Sequence, residues 1–150
     1  MSILSRRQKN KIDRFFFETE KLQEEVISIA AERAAKAEES ADPTARQAVE
    51  HLAPVPHAFG YDDPELWLQA AKETWDKYGS TQIGEVMHRR YVLNENWIQT
   101  TFQCFISDGC YFKYLDEFIL YGALMLAKKG IDLELDDGKK LSEWDKYGTQ

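Results

Sequence analysis

A chain of 150 residues, 43% of them hydrophobic, holds enough apolar material for one domain with a core, with room for a flanking arm. Its net charge of −7 excludes non-specific adhesion to nucleic acid by the chain as a whole. No window approaches the ~18 apolar residues of a membrane span, and the N-terminus lacks an apolar run of the secretory kind, so a soluble cytoplasmic protein without membrane contact is expected.

The first forty residues contain neither Pro nor Gly and read as a helical arm, 1–40. Ile12, Phe15, Thr19, Leu22, Val26 and Ile29 alternate spacings of three and four, a heptad seam that ends when Arg33 and Lys36 take its positions. Phe15, Leu22, Val26 and Ile29 are therefore candidate contacts of a homodimer. The alternative is a helix laid on the chain's own core, because Phe15, Phe16 and Phe17 in a row put apolar surface on more than one side. The start of the arm is basic, with Arg6, Arg7, Lys9, Lys11 and Arg14 against Asp13 alone.

Residues 41–64 hold all four prolines and form a connector. Asp42-Pro43 has the chemistry of a helix start, for a short helix through Leu52, and Ala53-Pro54-Val55-Pro56 forces extended backbone. Gly60 allows a turn, and Asp63-Pro64 repeats the helix start. A helical domain over 65–135 comes next. Its first helix carries Trp67, Ala70, Ala71, Thr74, Trp75 and Tyr78 on one face and stops at Gly79. Thr81 caps the next, which turns Ile83, Val86, Met87 and Tyr91 inward.

Two helical patterns then meet over 94–130. Asn94 is the expected cap of the first, whose apolar face reads Trp97, Ile98, Thr101, Phe102 and Phe105. Ser107 caps the second, in which Tyr111, Tyr114, Leu115, Phe118, Ile119, Gly122, Leu124, Met125 and Leu126 make a wide apolar face before Gly130 ends it. Joined by Phe105-Ile106-Ser107, they form a helix-turn-helix candidate packed by Trp97, Phe102, Tyr111, Leu115 and Phe118. Only Ile131 to Leu135 shows strand alternation, so the fold class is all-α, with about six helices and an acidic tail over 136–150. The pentapeptide WDKYG ends a helix at Trp75 to Gly79 and recurs at Trp144 to Gly148.

Catalytic chemistry finds no footing. His51, His57 and His88 fall at no zinc spacing, Cys104 and Cys110 read as buried thiols, and neither a phosphate loop nor a nucleophile elbow occurs. No metal, cofactor or enzymatic activity is expected.

The turn and the start of the second helix, Ile106, Ser107, Tyr111, Phe112 and Lys113, then Leu126-Ala127 and Ile131-Asp132-Leu133-Glu134, with Arg90-Tyr91 upstream, resemble the ArpU/RinA type of phage late-gene transcriptional regulators. The likeness covers about the last two fifths of the chain. It departs from the pattern at Phe105, where a small residue is usual, and at Thr101, where Ala is usual. The resemblance implies a bacterial host cell and double-stranded DNA as partner. On it, Ser107, Gly109, Cys110 and Lys113 approach base edges, while Arg89, Arg90 and the basic arm hold phosphates.

Charge suggests a different class, because Asp108, Asp116 and Glu117 outnumber Lys113 on the exposed side of the second helix. Together with Asp62, Asp63 and Glu65 they would give an acidic surface that occupies the basic site of another protein, such as a nuclease. A third class is a packaging or structural component assembled through the N-terminal helix.

Overall fold

The computed structural model describes residues 4–39, 55–131 and 133. Among them are five helices and one hairpin: α1 (Arg6–Glu39), β1 (His57–Ala58), β2 (Tyr61–Asp62), α2 (Pro64–Tyr78), α3 (Gln82–Tyr91), α4 (Trp97–Cys104) and α5 (Asp108–Lys128). The fold is all-α with a long N-terminal helix, and no helix among the described residues is long and apolar enough to cross a membrane. The short helix expected from Asp42 to Leu52, residues 132, 134 and 135 of the expected strand, and the acidic tail with its second WDKYG lie outside the described residues.

The chain divides into one unit of residues 1–17 with 70–150 and another of residues 18–69. These divisions fall within α1 and within α2, whereas composition suggested 40 and 64. Proline marks where the backbone must break, and packing follows the buried side chains instead.

In the first unit, Ser5 and Gln8 seal the start of α1 reciprocally. Ser5 Oγ accepts the Gln8 N–H at 3.1 Å and Gln8 Oε1 accepts the Ser5 N–H at 3.0 Å. Ile12, Phe15 and Phe16 are buried one turn and more beyond. The Phe16 ring lies 4.7 Å from Phe118, 5.3 Å from Tyr91 and 6.4 Å from Trp75, centroid to centroid. Gly122 makes this approach of α1 to α5 feasible, since a Cβ there would stand 2.8 Å from Phe16 Cζ. Helices α3, α4 and α5 pack on one another pairwise. Helix α5 buries Tyr111, Phe118, Ile119, Gly122, Ala123 and Leu126. It ends in a Schellman motif, with Gly130 at φ +83, its N–H on Ala127 O and the Ile131 N–H on Leu126 O.

The corner between α2 and α3 is built on the Tyr78 carbonyl, which accepts from Thr81 N–H at 2.9 Å and from Thr81 Oγ at 2.6 Å. Thr81 Oγ in turn caps α3 by accepting the Gly84 N–H at 3.2 Å. A Cβ on Gly84 would collide with the Tyr78 carbonyl oxygen, which is backbone and cannot swing away. Gly84→Ala is therefore expected to lower stability by ~2–3 kcal/mol despite the better helix propensity of Ala, measured as a shift of the urea midpoint.

In the second unit, β1 and β2 pair antiparallel with His57 opposite Asp62 and Ala58 opposite Tyr61. Phe59 (φ +50) and Gly60 (φ +82) make the two-residue turn, the left-handed pair that matches strand twist. Tyr61 donates to Glu18 Oε2 at 2.6 Å and its ring lies 5.0 Å from Trp67. Leu22 and Val26 are buried here, as Phe15 is in the first unit, and Ile29 is half-buried. Of the two readings of the seam, a second copy or the chain's own core, Phe15, Leu22 and Val26 follow the second: heptad spacing identifies a helical face without saying which molecule covers it.

Candidate functional site

The helix pair forms with a shifted entry. Asn96, not Asn94, caps α4: its Oδ1 accepts the Gln99 N–H at 2.8 Å and Gln99 Oε1 accepts the Asn96 N–H at 3.4 Å, a full capping box. Asn94 instead supplies a left-handed turn residue at φ +56. At the far end of α4, Phe105 takes φ +55, and its N–H and that of Ile106 both reach the Thr101 carbonyl. Ser107 caps α5 as expected, its Oγ accepting the Cys110 N–H at 3.1 Å. The result is a three-residue turn between two capped helices.

The arginines assigned to phosphates are engaged inside the protein. Arg90 binds Asp13 through two bonds, Nε to Oδ1 at 3.1 Å and Nη2 to Oδ2 at 2.8 Å, while its Nη1 donates to Tyr111 Oη at 2.9 Å. Tyr91 also donates to Asp13 Oδ1, at 2.6 Å, and the guanidinium lies 5.2 Å from the Phe17 ring centroid. Burial alone would lower the Arg90 pKa; the hydrogen bonds and charge of Asp13 outweigh it, so the group titrates above its usual value. Arg89 is held by both carboxylate oxygens of Glu95 at 3.2 Å, which raises its pKa as well. Neither guanidinium is presented as a free phosphate clamp.

Burial first, then the Asp13 charge, pushes the Tyr91 hydroxyl pKa well up from its ordinary value. A group whose pKa is raised by folding gives stability that is complete below its unfolded value, about 10, and is lost as pH rises through the folded value. The wild type is expected to lose stability progressively above pH ~10. Tyr91→Phe should flatten that alkaline slope, read from thermal melts at stepped pH.

The outward side of α4 is apolar. Ile98 is 60% exposed, Phe102 77% and Phe105 93%, and Trp97, 39% exposed, meets Phe112 of α5 at 5.8 Å between centroids. This corrects the expected packing of the pair. Phe118 and Tyr111 are fully buried, but the inner face of α4 is Thr100 and Thr101, with Trp97 and Phe102 on the outside. Small side chains there let α3 and α5 approach, so the bulky residues sharing α4 are turned away. From Trp97 to Ser107 the chain carries no charged residue.

A phenylalanine in the left-handed region is strained, by roughly 1–2 kcal/mol, and at 93% exposure no burial offsets it. Phe105→Gly relieves that strain, with part of the gain lost to the flexibility of unfolded glycine. A net stabilisation of about 1 kcal/mol is expected by urea denaturation.

Of the remaining expected contacts, Gly109 and Lys113 are exposed on α5 and Cys110 is half-buried. Cys104 and Cys110 are free, half-buried thiols and not fully buried ones. Asp108, Asp116 and Glu117 are exposed, yet Asp116 accepts from Lys9 Nζ at 3.3 Å. Asp62 and Asp63 are exposed and Glu65 half-buried in the second unit, with Asp62 against His57 Nδ1 at 2.9 Å. Among the described residues no three His, Cys, Asp or Glu side chains gather as metal ligands. Sequence reasoning missed Asp13, whose signal was its position as the one acid in a basic arm. It also missed the outward aromatics, whose signal was a Phe at a turn that favours small residues. Comparison of the chain with protein-family models, with curated proteins and with solved structures finds no match to any of them.

Proposed function

We propose that this chain is a protein-docking module that works through the outer face of α4 and the adjoining start of α5. The carrying observation is the exposed, uncharged run of Ile98, Phe102 and Phe105, extended by Trp97 and Phe112. Aromatic anchors of this kind dominate protein interfaces, and exposed apolar patches above a few hundred Å² mark interaction sites. Strain at Phe105 supports the reading, because conformations that cost stability persist at functional positions.

A duplex reader is the second reading, favoured by the capped helix-turn-helix geometry and by the mutual packing of α3, α4 and α5. Against it stand Asp108 at the start of α5, where a phosphate would sit, and the internal pairing of Arg89 and Arg90. An acidic mimic of a phosphate track is also weakened, since α5 mixes exposed Lys113 and Lys128 with Asp116 and Glu117.

The test places a benzoyl-phenylalanine photo-crosslinker at position 102 in cells producing the protein. Adducts with polypeptide are expected. Adducts with nucleic acid, or none, overturn the docking reading, as would duplex binding whose steep salt dependence flattens in Arg89→Ala.

A further inference from the structure

Resting on that docking reading, we infer that the occupant of the α4 face is a second copy of this chain, joined across a two-fold axis. The first ground is area. Taking about 200 Å² for a fully exposed aromatic side chain, Trp97, Ile98, Phe102, Phe105 and Phe112 leave roughly 600 Å² open. That is the lower end of the share each partner contributes to a specific, stable interface, about 600–1,000 Å².

The second ground is charge. Two chains of −7 repel one another, so a self-contact must centre where neither carries charge. The segment from Trp97 to Ser107 meets that condition without a single ionisable carboxylate or amine. A two-fold contact brings the same patch to itself, and an apolar patch is complementary to its own copy as a charged one cannot be. Ile98 and Phe102 stand one turn apart on α4, with Phe105 just beyond its end. Two such ridges running antiparallel set Ile98 of each copy toward Phe105 of the other, with the two Phe102 rings at the axis.

Glu95, just ahead of α4, is already paired with Arg89, so it adds no uncompensated charge where the helix begins. The α1 seam offers less, because Phe15, Leu22 and Val26 are covered within the chain and Ile29 is half-buried.

The experiment is sedimentation equilibrium on the full chain from about 1 to 100 μM. Wild type is expected at twice the chain mass in the upper part of that range. Phe102→Glu and Phe105→Gly should each raise the dimer Kd by about 30-fold or more, as hot-spot losses do. Both positions are solvent-facing, so helical content by circular dichroism should remain that of wild type. Phe59→Ser, an exposed aromatic in the hairpin turn, should leave the mass unchanged. A wild type that stays monomeric at 100 μM overturns the second copy, and so does a dimer that Phe102→Glu and Phe105→Gly both leave intact. Adducts at position 102 with a different polypeptide alone would also overturn it while the docking reading stands; adducts with nucleic acid, or none, would remove both.

Discussion

Phe118→Ala is expected to lower stability by ~3–5 kcal/mol, the range for emptying a buried phenylalanine site. Phe118 is fully buried, with Phe16 at 4.7 Å, Trp75 at 4.8 Å, Tyr78 at 5.7 Å and Tyr91 at 5.8 Å between ring centroids. Those rings come from α1, α2 and α3, so one truncation opens the contact of three helices with α5. Aromatic neighbours are rigid plates that collapse poorly into a void, which favours the upper end of the range. Urea denaturation followed at 222 nm measures it. A midpoint shift equivalent to less than about 1 kcal/mol would show that the ring cluster is not the stabilising centre of this unit.

Asp13→Ala is expected to cost ~2–4 kcal/mol. The carboxylate accepts three hydrogen bonds, two from Arg90 and one from Tyr91, and its loss leaves a half-buried guanidinium and a buried hydroxyl without that partner. With side chains still 19% and 23% exposed, water re-solvates part of the Arg90–Asp13 pair, which keeps the figure below that of a sealed ion pair. Arg90→Ala should cost nearly as much, and the double variant little more than either single one, giving a coupling of ~1–3 kcal/mol in the cycle. A surface arginine kept for phosphates would behave differently, changing DNA affinity while leaving the denaturation midpoint in place. Thermal and urea midpoints of the three variants separate the two roles.

Helix starts were legible wherever two signals agreed. Thr81 and Ser107 each precede an amphipathic run and each cap it. Between Asn94 and Asn96 residue type alone cannot choose; the Gln99 side chain three places on decides, because it closes the box on Asn96. The apolar spacing in α4 grouped Ile98, Phe102 and Phe105 on one side, where they are found, but it also placed Thr101 with them, which is buried on the opposite face; periodicity contains no information about which side a neighbour covers. Thr100 and Thr101, polar by name and small in shape, fill the inside. The hairpin escaped notice because its turn is Phe59-Gly60 rather than Asn-Gly or Asp-Gly, and its strands are two residues each. The pairing of Arg90 with Asp13 spans 77 positions, a distance at which no local pattern operates.

Phe105 sets two selective pressures on a single codon. A mutant library sorted only for survival of heat would collect glycine or asparagine there, since both occupy the left-handed region at lower cost and neither loses a buried contact. The same library sorted for self-association would keep the ring. Deep sequencing of the two pools would then diverge at position 105, while at Phe118 both would hold phenylalanine.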